Sequence, residues 1–161
     1  MNTYSVSAED EKHFLSQRVA ILGYGSQGRA QALNLRDSGA DVIVGNRAGK
    51  SFDRAAEDGF AVYPVCEAVQ KADVLALLFP DESAADIYAA EIAPYLHEGH
   101  TLLFAHGFNI LYNLIQPPKF VDVVLAAPKG VGPMVRRLYE EGGGVASLVS
   151  VHQDASGHAL Q

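Results

Sequence analysis

The sequence contains little cysteine and no tryptophan: among 161 residues there is one cysteine, Cys66. A single cysteine excludes an internal disulfide framework and a zinc site built on cysteine ligands. Basic residues are also scarce, with 12 Lys and Arg against 19 Asp and Glu and a net charge of −7. Because such a chain repels phosphate backbones, nucleic-acid binding is not expected as its main function.

Long apolar runs are absent as well. No stretch approaches the roughly 18 residues that are needed to span a bilayer. The N-terminal segment carries Glu9, Asp10 and Glu11, where a secretory signal would have positive charge followed by an apolar stretch. We therefore expect no membrane association and a cytoplasmic location, and the length suits a single domain.

Short apolar runs alternate with segments of helical spacing along the chain. The apolar runs predict strands at 18–22, 41–45, 60–62, 73–79, 101–105, 121–126 and 145–151, and the helical patterns lie at 26–38, 51–58, 64–71, 83–96 and 133–141. This alternation indicates βαβ units. The predicted fold class is α/β, a Rossmann-type, doubly wound and mainly parallel sheet with helices on both faces. Asp154 resembles the N-cap of a further helix that has no stop signal. The predicted domain, residues 1–161, is therefore expected to be truncated at its C-terminal end.

A glycine-rich turn follows the first predicted strand. Gly23, Gly25 and Gly28 form the pattern G-x-G-x-x-G between a strand and a helix, the context that this motif requires. The first glycine allows the tight turn, the second lets a pyrophosphate approach the backbone, and the third lets the helix pack closely on the strand. The helix N-terminus offers N–H groups to the phosphates. Although glycine turns also serve packing alone, this position favours dinucleotide binding.

The second predicted strand ends without the carboxylate that NAD-binding domains use to hold the ribose 2′-hydroxyl. It is followed by Arg47, Lys50 and Ser51, and the first carboxylate is Asp53. Arginine and lysine suit a 2′-phosphate, and the serine can donate a hydrogen bond to it. A solvated basic loop is the alternative interpretation. The pattern favours NADP(H) over NAD(H).

Two polar residues follow later strands at the same predicted sheet edge. His106 comes after the fifth strand, where the nicotinamide end of a cofactor would lie, so it is a candidate catalytic residue. A packed histidine bonded to the backbone is the alternative. Lys129, after the sixth strand, could face substrate or metal-bound water, or pair with a carboxylate. Asp81 and Glu82 have no carboxylate partners at helical spacing, so we expect no complete metal site.

Several longer strings carry a resemblance to a known family. They run in order from about residue 18 to the end: 23–39 (GYGSQGRAQALNLRDSG), 80–82 (PDE), 105–110 (AHGFNI), 127–132 (APKGVG), 135–137 (VRR), 139–145 (YEEGGGV) and 151–157 (VHQDASG). Together they resemble the N-terminal, Rossmann-type NADP-binding domain of ketol-acid reductoisomerase, also called acetohydroxy-acid isomeroreductase. That family uses NADPH and Mg²⁺ to isomerise a 2-acetohydroxy acid such as 2-acetolactate. It reduces the product to a 2,3-dihydroxy acid in the biosynthesis of valine, leucine and isoleucine.

The resemblance implies an NADP-dependent oxidoreductase and a set of site residues. His106 matches the active-site histidine of the family, and Lys129 is kept beside it as a second catalytic candidate. The residues implied to contact the cofactor are Gly23, Tyr24, Gly25, Ser26, Gln27, Gly28, Arg47, Lys50, Ser51, Asp81, Glu82, Ser83, Ala84 and Gly132.

The chain also departs from the family pattern. Its loop 47–52 is one residue shorter than the commonest version and lacks one of the usual serines, which leaves mixed use of NADPH and NADH open. Pro133 replaces a more usual histidine. The helical C-terminal domain of the family, which supplies the Mg²⁺ ligands, is expected to be missing from this chain.

We therefore expect the isolated chain to bind cofactor without turnover. The helical magnesium-binding domain would be its missing partner, and formation of a homo-oligomer stays open. One alternative is a stand-alone NADP(H)-binding module or sensor that needs a partner chain. Another is a small independent reductase that uses His106 on an unrelated carbonyl substrate.

Overall fold

One sheet of seven strands organises the structure, a computed structural model that describes residues 6–160. The strands are β1 (Arg18–Leu22), β2 (Asp41–Gly45), β3 (Ala61–Tyr63), β4 (Val74–Leu77), β5 (Thr101–Phe104), β6 (Asp122–Pro128) and β7 (Ser147–Gln153). Their spatial order is β3-β2-β1-β4-β5-β6-β7, in which the first six are parallel and β7 runs antiparallel to β6. The predicted Rossmann-type, mainly parallel fold is confirmed. Residues 1–5 and 161 of the predicted domain lie outside the described residues.

Helices connect the strands and cover both faces of the sheet. They are α1 (Ala8–Leu15), α2 (Ser26–Asp37), α3 (Lys50–Glu57), α4 (Val65–Gln70), α5 (Asp81–Ile87), α6 (Phe108–Leu111) and α7 (Gly132–Glu140). After α5 the chain continues through a π-helical turn, Tyr88–Ile92, and a 3₁₀ turn, Ala93–Tyr95. No helix within residues 6–160 has both the length and the apolar character that crossing a membrane would need.

The core lies on both faces of the sheet because alternate residues of each strand point to opposite sides. In β1, Leu22 belongs to the cluster under α4 and α5, whereas Ile21 belongs to the cluster on the opposite face. Leu75 and Leu102 of the central strands are fully buried with Leu22. Burial on both faces explains why these strands are apolar throughout their length.

The strand register brings several connecting loops to one edge. Leu22 at the end of β1 is aligned with Gly45 of β2 on one side and Leu77 of β4 on the other. Leu77 is in turn aligned with Phe104 of β5. Strands β2 and β3 lie on one side of β1, whereas β4, β5 and β6 lie on the other, so the strand order switches between β1 and β4. Open α/β sheets bind ligands at such a switch point.

Two local predictions are corrected by the structure. Helix α5 begins at Asp81, two residues before the predicted start, because Asp81 and Glu82 occupy its first turn, where the positive end of the helix dipole favours acidic side chains. The helix expected from Asp154 is wrong, since residues 154–160 form bends and turns. There the buried Asp122 carboxylate accepts the amide protons of Ala155 (2.7 Å) and Ser156 (3.0 Å), which holds the chain in a non-helical conformation.

Candidate functional site

The three glycines of the turn after β1 occupy different environments. Gly23 has φ +97°, and its N–H donates to the Gly45 carbonyl at 3.0 Å. A Cβ on Gly28 would collide with the Gly23 carbonyl oxygen, so the helix can approach the turn only if residue 28 has no side chain. Gly25 caps α2 without a side-chain hydrogen bond, and a Cβ there would meet no atom within 4 Å. The first and third glycines are thus required by the fold, whereas the second leaves open space beside the unpaired N–H groups of α2.

The side chain of Tyr24, between the first two glycines, points into the protein. The Tyr24 ring is buried, and its hydroxyl donates to Asp58 Oδ2 at 2.8 Å. Arg29 of α2 binds the same carboxylate through Nε (2.7 Å) and Nη2 (2.9 Å). Burial raises the pKa of Tyr24 well above its usual value, and the Arg29 guanidinium lowers the pKa of Asp58. Tyr24 therefore keeps only its main chain for a ligand, and Asp58 links the turn to the end of α3.

Helix α7 contributes a second N-terminus at the same turn. A Cβ on Gly132 would collide with the Ser26 carbonyl and lie 2.6 Å from its Oγ, so glycine is needed for α7 to pack on α2. Gln27 Nε2 donates to the Gly130 carbonyl at 2.8 Å, which fastens the loop after β6 to the glycine turn. The predicted site residues Ser26, Gln27 and Gly132 are therefore brought together, and Ser26 is exposed.

The loop after β2 presents two cationic side chains to solvent. Arg47 and Lys50 are exposed, and the salt bridges found within residues 6–160 involve neither of them. Gly49, with φ +142°, caps α3 without a side-chain hydrogen bond. Ser51 is half-buried in the first turn of that helix. The cations therefore stand with the open N-terminus of α3, an arrangement that attracts an anion.

A histidine–carboxylate pair forms the site beyond β4 and β5. His106 Nδ1 lies 2.6 Å from Asp81 Oδ2. The Asn109 side-chain amide donates to both the main-chain carbonyl and Oδ1 of Asp81, each at 3.2 Å. Asn109 is 2% exposed, and its own Oδ1 has no hydrogen-bond partner among the described residues. The three residues line a cavity of about 190 Å³ together with Gln27, Pro80 and Ala84.

The cavity at the glycine turn is not the largest on the protein. Three larger cavities among the described residues, of about 310, 380 and 550 Å³, contain none of the predicted site residues. The smaller cavity is nevertheless the better candidate ligand site, because it lies at an open helix N-terminus and includes Oδ1 of Asn109, a buried acceptor without a partner among the described residues.

The other predicted site residues occupy the same sheet edge with fewer contacts. Ala84 is buried, Glu82 is exposed, and Ser83 Oγ donates to the Pro80 carbonyl at 3.2 Å. Lys129 is exposed at the end of β6, and only its main-chain N–H has a bond, to the Ala146 carbonyl at 2.9 Å. No contact in the described part of the chain joins Lys129 to His106. Within that part, no group of three or more His, Cys, Asp or Glu residues could hold a metal ion.

Two functional contacts escaped the sequence analysis. The sequence marks Asp58 only as the last residue of the helix predicted at 51–58, and Asn109 lies in a helix too short to show periodicity. The link between Asp81 and His106 could have been inferred, since the two residues follow neighbouring parallel strands and must meet at one edge.

Comparison with known proteins points to one family. A family model described as the NADPH-binding domain of acetohydroxy acid isomeroreductase matches residues 13–161. An NADH-preferring ketol-acid reductoisomerase from an uncultured archean shares 44% identity with a TM-score of 0.90, over 94% of this chain and 48% of that one.

More distant structures share only the fold. A putative oxidoreductase from Jannaschia sp. CCS1 is 20% identical with a TM-score of 0.72, over 89% of this chain and 56% of that one. A semialdehyde dehydrogenase NAD-binding protein from Cupriavidus necator, in complex with calcium and NAD, is 22% identical with a TM-score of 0.70, over 88% and 55%. The chain spans about half the length of the solved proteins that it matches.

Proposed function

This chain belongs to the acetohydroxy acid isomeroreductase family, of which it carries the NADPH-binding domain, and we propose that it holds the reducing cofactor along the carboxyl edge of the sheet. The observation that carries the proposal is the turn at residues 23–28, where Gly25 alone has open space beside the uncapped start of α2. The main chain of Tyr24, Gly25, Ser26 and Gln27 would receive the pyrophosphate there. When bound, the cofactor supplies a hydride.

The residues present fit a dinucleotide at both of its ends. The buried Oδ1 of Asn109 has no hydrogen-bond partner within residues 6–160, so this acceptor suits an amide N–H such as that of the nicotinamide carboxamide. At the other end, Arg47, Lys50 and Ser51 suit the 2′-phosphate. Between them, Asp81, Glu82, Ser83 and Ala84 of α5, with Gly132 of α7, would line the cofactor.

The choice between the two nicotinamide cofactors rests on the loop after β2. A ketol-acid reductoisomerase 44% identical to this chain prefers NADH, so membership in the family does not assign the cofactor by itself. This chain has two exposed cations and no carboxylate in the loop before Asp53. A ribose 2′-hydroxyl carries no charge to pair with these cations, whereas a 2′-phosphate forms charge-assisted hydrogen bonds with both. We infer a preference for NADPH.

The reaction that we propose is the isomerisation and reduction of a 2-acetohydroxy acid, such as 2-acetolactate, to a 2,3-dihydroxy acid. His106 would hold or transfer a proton at Nε2 at the nicotinamide end, and Lys129 would face the substrate. The Mg²⁺ of the family does not fit residues 6–160, since they offer no cluster of three ligands. A helical magnesium-binding domain is therefore the partner that this function needs, and we propose that the chain alone does not turn over. A homo-oligomer and a cytoplasmic location stay predictions.

The experiment combines two readouts on the chain itself. NADPH fluorescence is titrated to detect binding, and the loss of NADPH absorbance is followed with 2-acetolactate and Mg²⁺ present. We expect binding without turnover above the protein-free rate. Steady NADPH oxidation that depends on 2-acetolactate would contradict the inactivity of the isolated chain, and oxidation without Mg²⁺ on other carbonyl compounds would favour an independent reductase.

A further inference from the structure

The relation between His106 and Asp81 goes beyond a shared place at the sheet edge. The sequence assigned Asp81 to the cofactor, yet Oδ2 of Asp81 lies 2.6 Å from Nδ1 of His106. A carboxylate only accepts hydrogen bonds, so Nδ1 must carry the proton of this bond. Nε2 is then the ring nitrogen left for a ligand, and the His106 side chain is 70% exposed.

Asn109 determines which way the Asp81 carboxylate faces. Its Nδ2 atom is 3.2 Å from two acceptors of the same residue, the main-chain carbonyl and Oδ1 of Asp81. A flipped amide would place Oδ1 of Asn109 against these two acceptors, so the orientation of the amide is fixed by chemistry. Because Asn109 occupies one carboxylate oxygen, the other is directed to His106.

The surroundings of the ring favour the same orientation. The His106 ring lies parallel to that of Phe108, with an interplanar angle of 1° and centroids 6.3 Å apart. Asp81 stands at the first position of α5, immediately after Pro80, whose ring fixes its own φ at −57°. The ring is therefore restrained by a rigid helix start on one side and by an aromatic neighbour on the other.

We propose that Asp81, held by Asn109, is a positioning residue that fixes His106 with its proton on Nδ1 and with Nε2 facing the cleft. In the neutral ring Nε2 then accepts a proton, and in the charged ring Nε2 donates one, while Nδ1 keeps its bond to Asp81 in both states. The inference rests on the proposed function only for the role of this proton in the reaction, whereas the tautomer of His106 does not depend on that function.

The test reads the tautomer directly by long-range ¹H–¹⁵N NMR on the ¹⁵N-labelled chain, above the pH at which histidine is protonated. In the unmodified chain we expect the Nδ1–H form of His106 to exceed the Nε2–H form by about fivefold, a ratio set low because the pair is partly exposed. Asp81→Asn should reverse the preference. The carbonyl of the new amide would face Asn109, so its NH₂ group would face the ring and need a bare Nδ1.

Asp86→Asn is the matched control, since Asp86 is an exposed residue of the same helix, and it should leave the His106 tautomer unchanged. A majority of Nε2–H in the unmodified chain would overturn the proposal without any variant. Persistence of Nδ1–H in folded Asp81→Asn would overturn it as well. NADPH titration of the same samples separates the two hypotheses, because absent binding refutes the proposed function while the tautomer still decides this one.

Discussion

Replacement of Gly28 by alanine is the perturbation that most sharply tests the glycine turn. The new Cβ would collide with the carbonyl oxygen of Gly23 and lie 3.1 Å from its carbonyl carbon. Backbone rather than a flexible side chain would have to move, so the cost falls at the upper end of overpacking, about 3 kcal/mol. The better helix propensity of alanine returns about 1 kcal/mol. The net loss of about 2 kcal/mol corresponds to a Tm lower by about 4–8 °C for a chain of this size.

Gly25→Ala is the matched control, because it makes the same chemical change three residues away in open space. Alanine is a poorer N-cap residue than glycine, which lowers stability. Because residue 25 has a φ of −84°, alanine also fits its backbone and reduces the freedom of the unfolded chain, which raises stability. Each effect is about 1 kcal/mol or less. We expect an almost unchanged Tm and a clear loss of NADPH affinity, since the methyl group would stand where the pyrophosphate approaches. Thermal unfolding followed by circular dichroism, with NADPH titration, measures both. An unchanged Tm for Gly28→Ala would contradict the packing role of Gly28, and an unchanged NADPH affinity for Gly25→Ala would contradict a pyrophosphate site at Gly25.

Three further predictions concern charged groups. Arg47→Asp should weaken NADPH binding by about tenfold more than NADH binding, as measured by parallel titrations. Asp58→Asn should lower the free energy of unfolding by about 1 kcal/mol. Arg29 depresses the folded-state pKa of Asp58, so this stabilisation is present above the unfolded pKa and disappears as pH falls through the folded one. Burial, reinforced by His97, lowers the pKa of His100 from 6.5 to about 4. The folded state therefore binds fewer protons than the unfolded state, and stability should fall by about 3 kcal/mol in acid across this window. Chemical denaturation over a pH series should show a flatter profile for His100→Phe.

The controls for these predictions lie elsewhere on the chain. Lys119→Asp repeats the charge change of Arg47→Asp at the opposite sheet edge and should affect both cofactors equally. Equal losses for Arg47→Asp would show that this residue does not contact the 2′-phosphate. Asp58→Asn should lose its stability difference from the unmodified chain in strong acid, and a difference that persists there would argue against the Arg29 ion pair. His152 is exposed, so His152→Gln should leave the pH dependence of stability unchanged. A flatter profile in this variant would contradict the role given to His100.

Much of the fold was accessible from the sequence because buried parallel strands are apolar without interruption. The predicted bounds of β1 and β2, 18–22 and 41–45, coincide with the observed strands. Elements differ from the prediction where a tertiary contact outweighs the sequence pattern of the segment. The Asp122 carboxylate, for example, binds amide protons more than thirty residues away and prevents a helix after Asp154.

The site was accessible only in outline. The G-x-G-x-x-G pattern located the turn, since its first and third positions meet backbone demands that only glycine satisfies. The pattern could not show that the Tyr24 side chain turns inward to Asp58, because that contact spans 34 residues. Asn109 falls within the string 105–110 that carries the family resemblance, but nothing in the sequence showed that its buried Oδ1 has no partner among the described residues.

We expect this chain to form a competent NADPH site without a metal, and calorimetric titration measures that binding. NADPH and NADH are each titrated into the chain with and without Mg²⁺. NADPH should bind tightly and independently of Mg²⁺, and NADH should bind more weakly because it gives Arg47 and Lys50 no 2′-phosphate to contact. Absence of binding for both cofactors would contradict this expectation, and equal affinities would contradict the role given to the loop after β2.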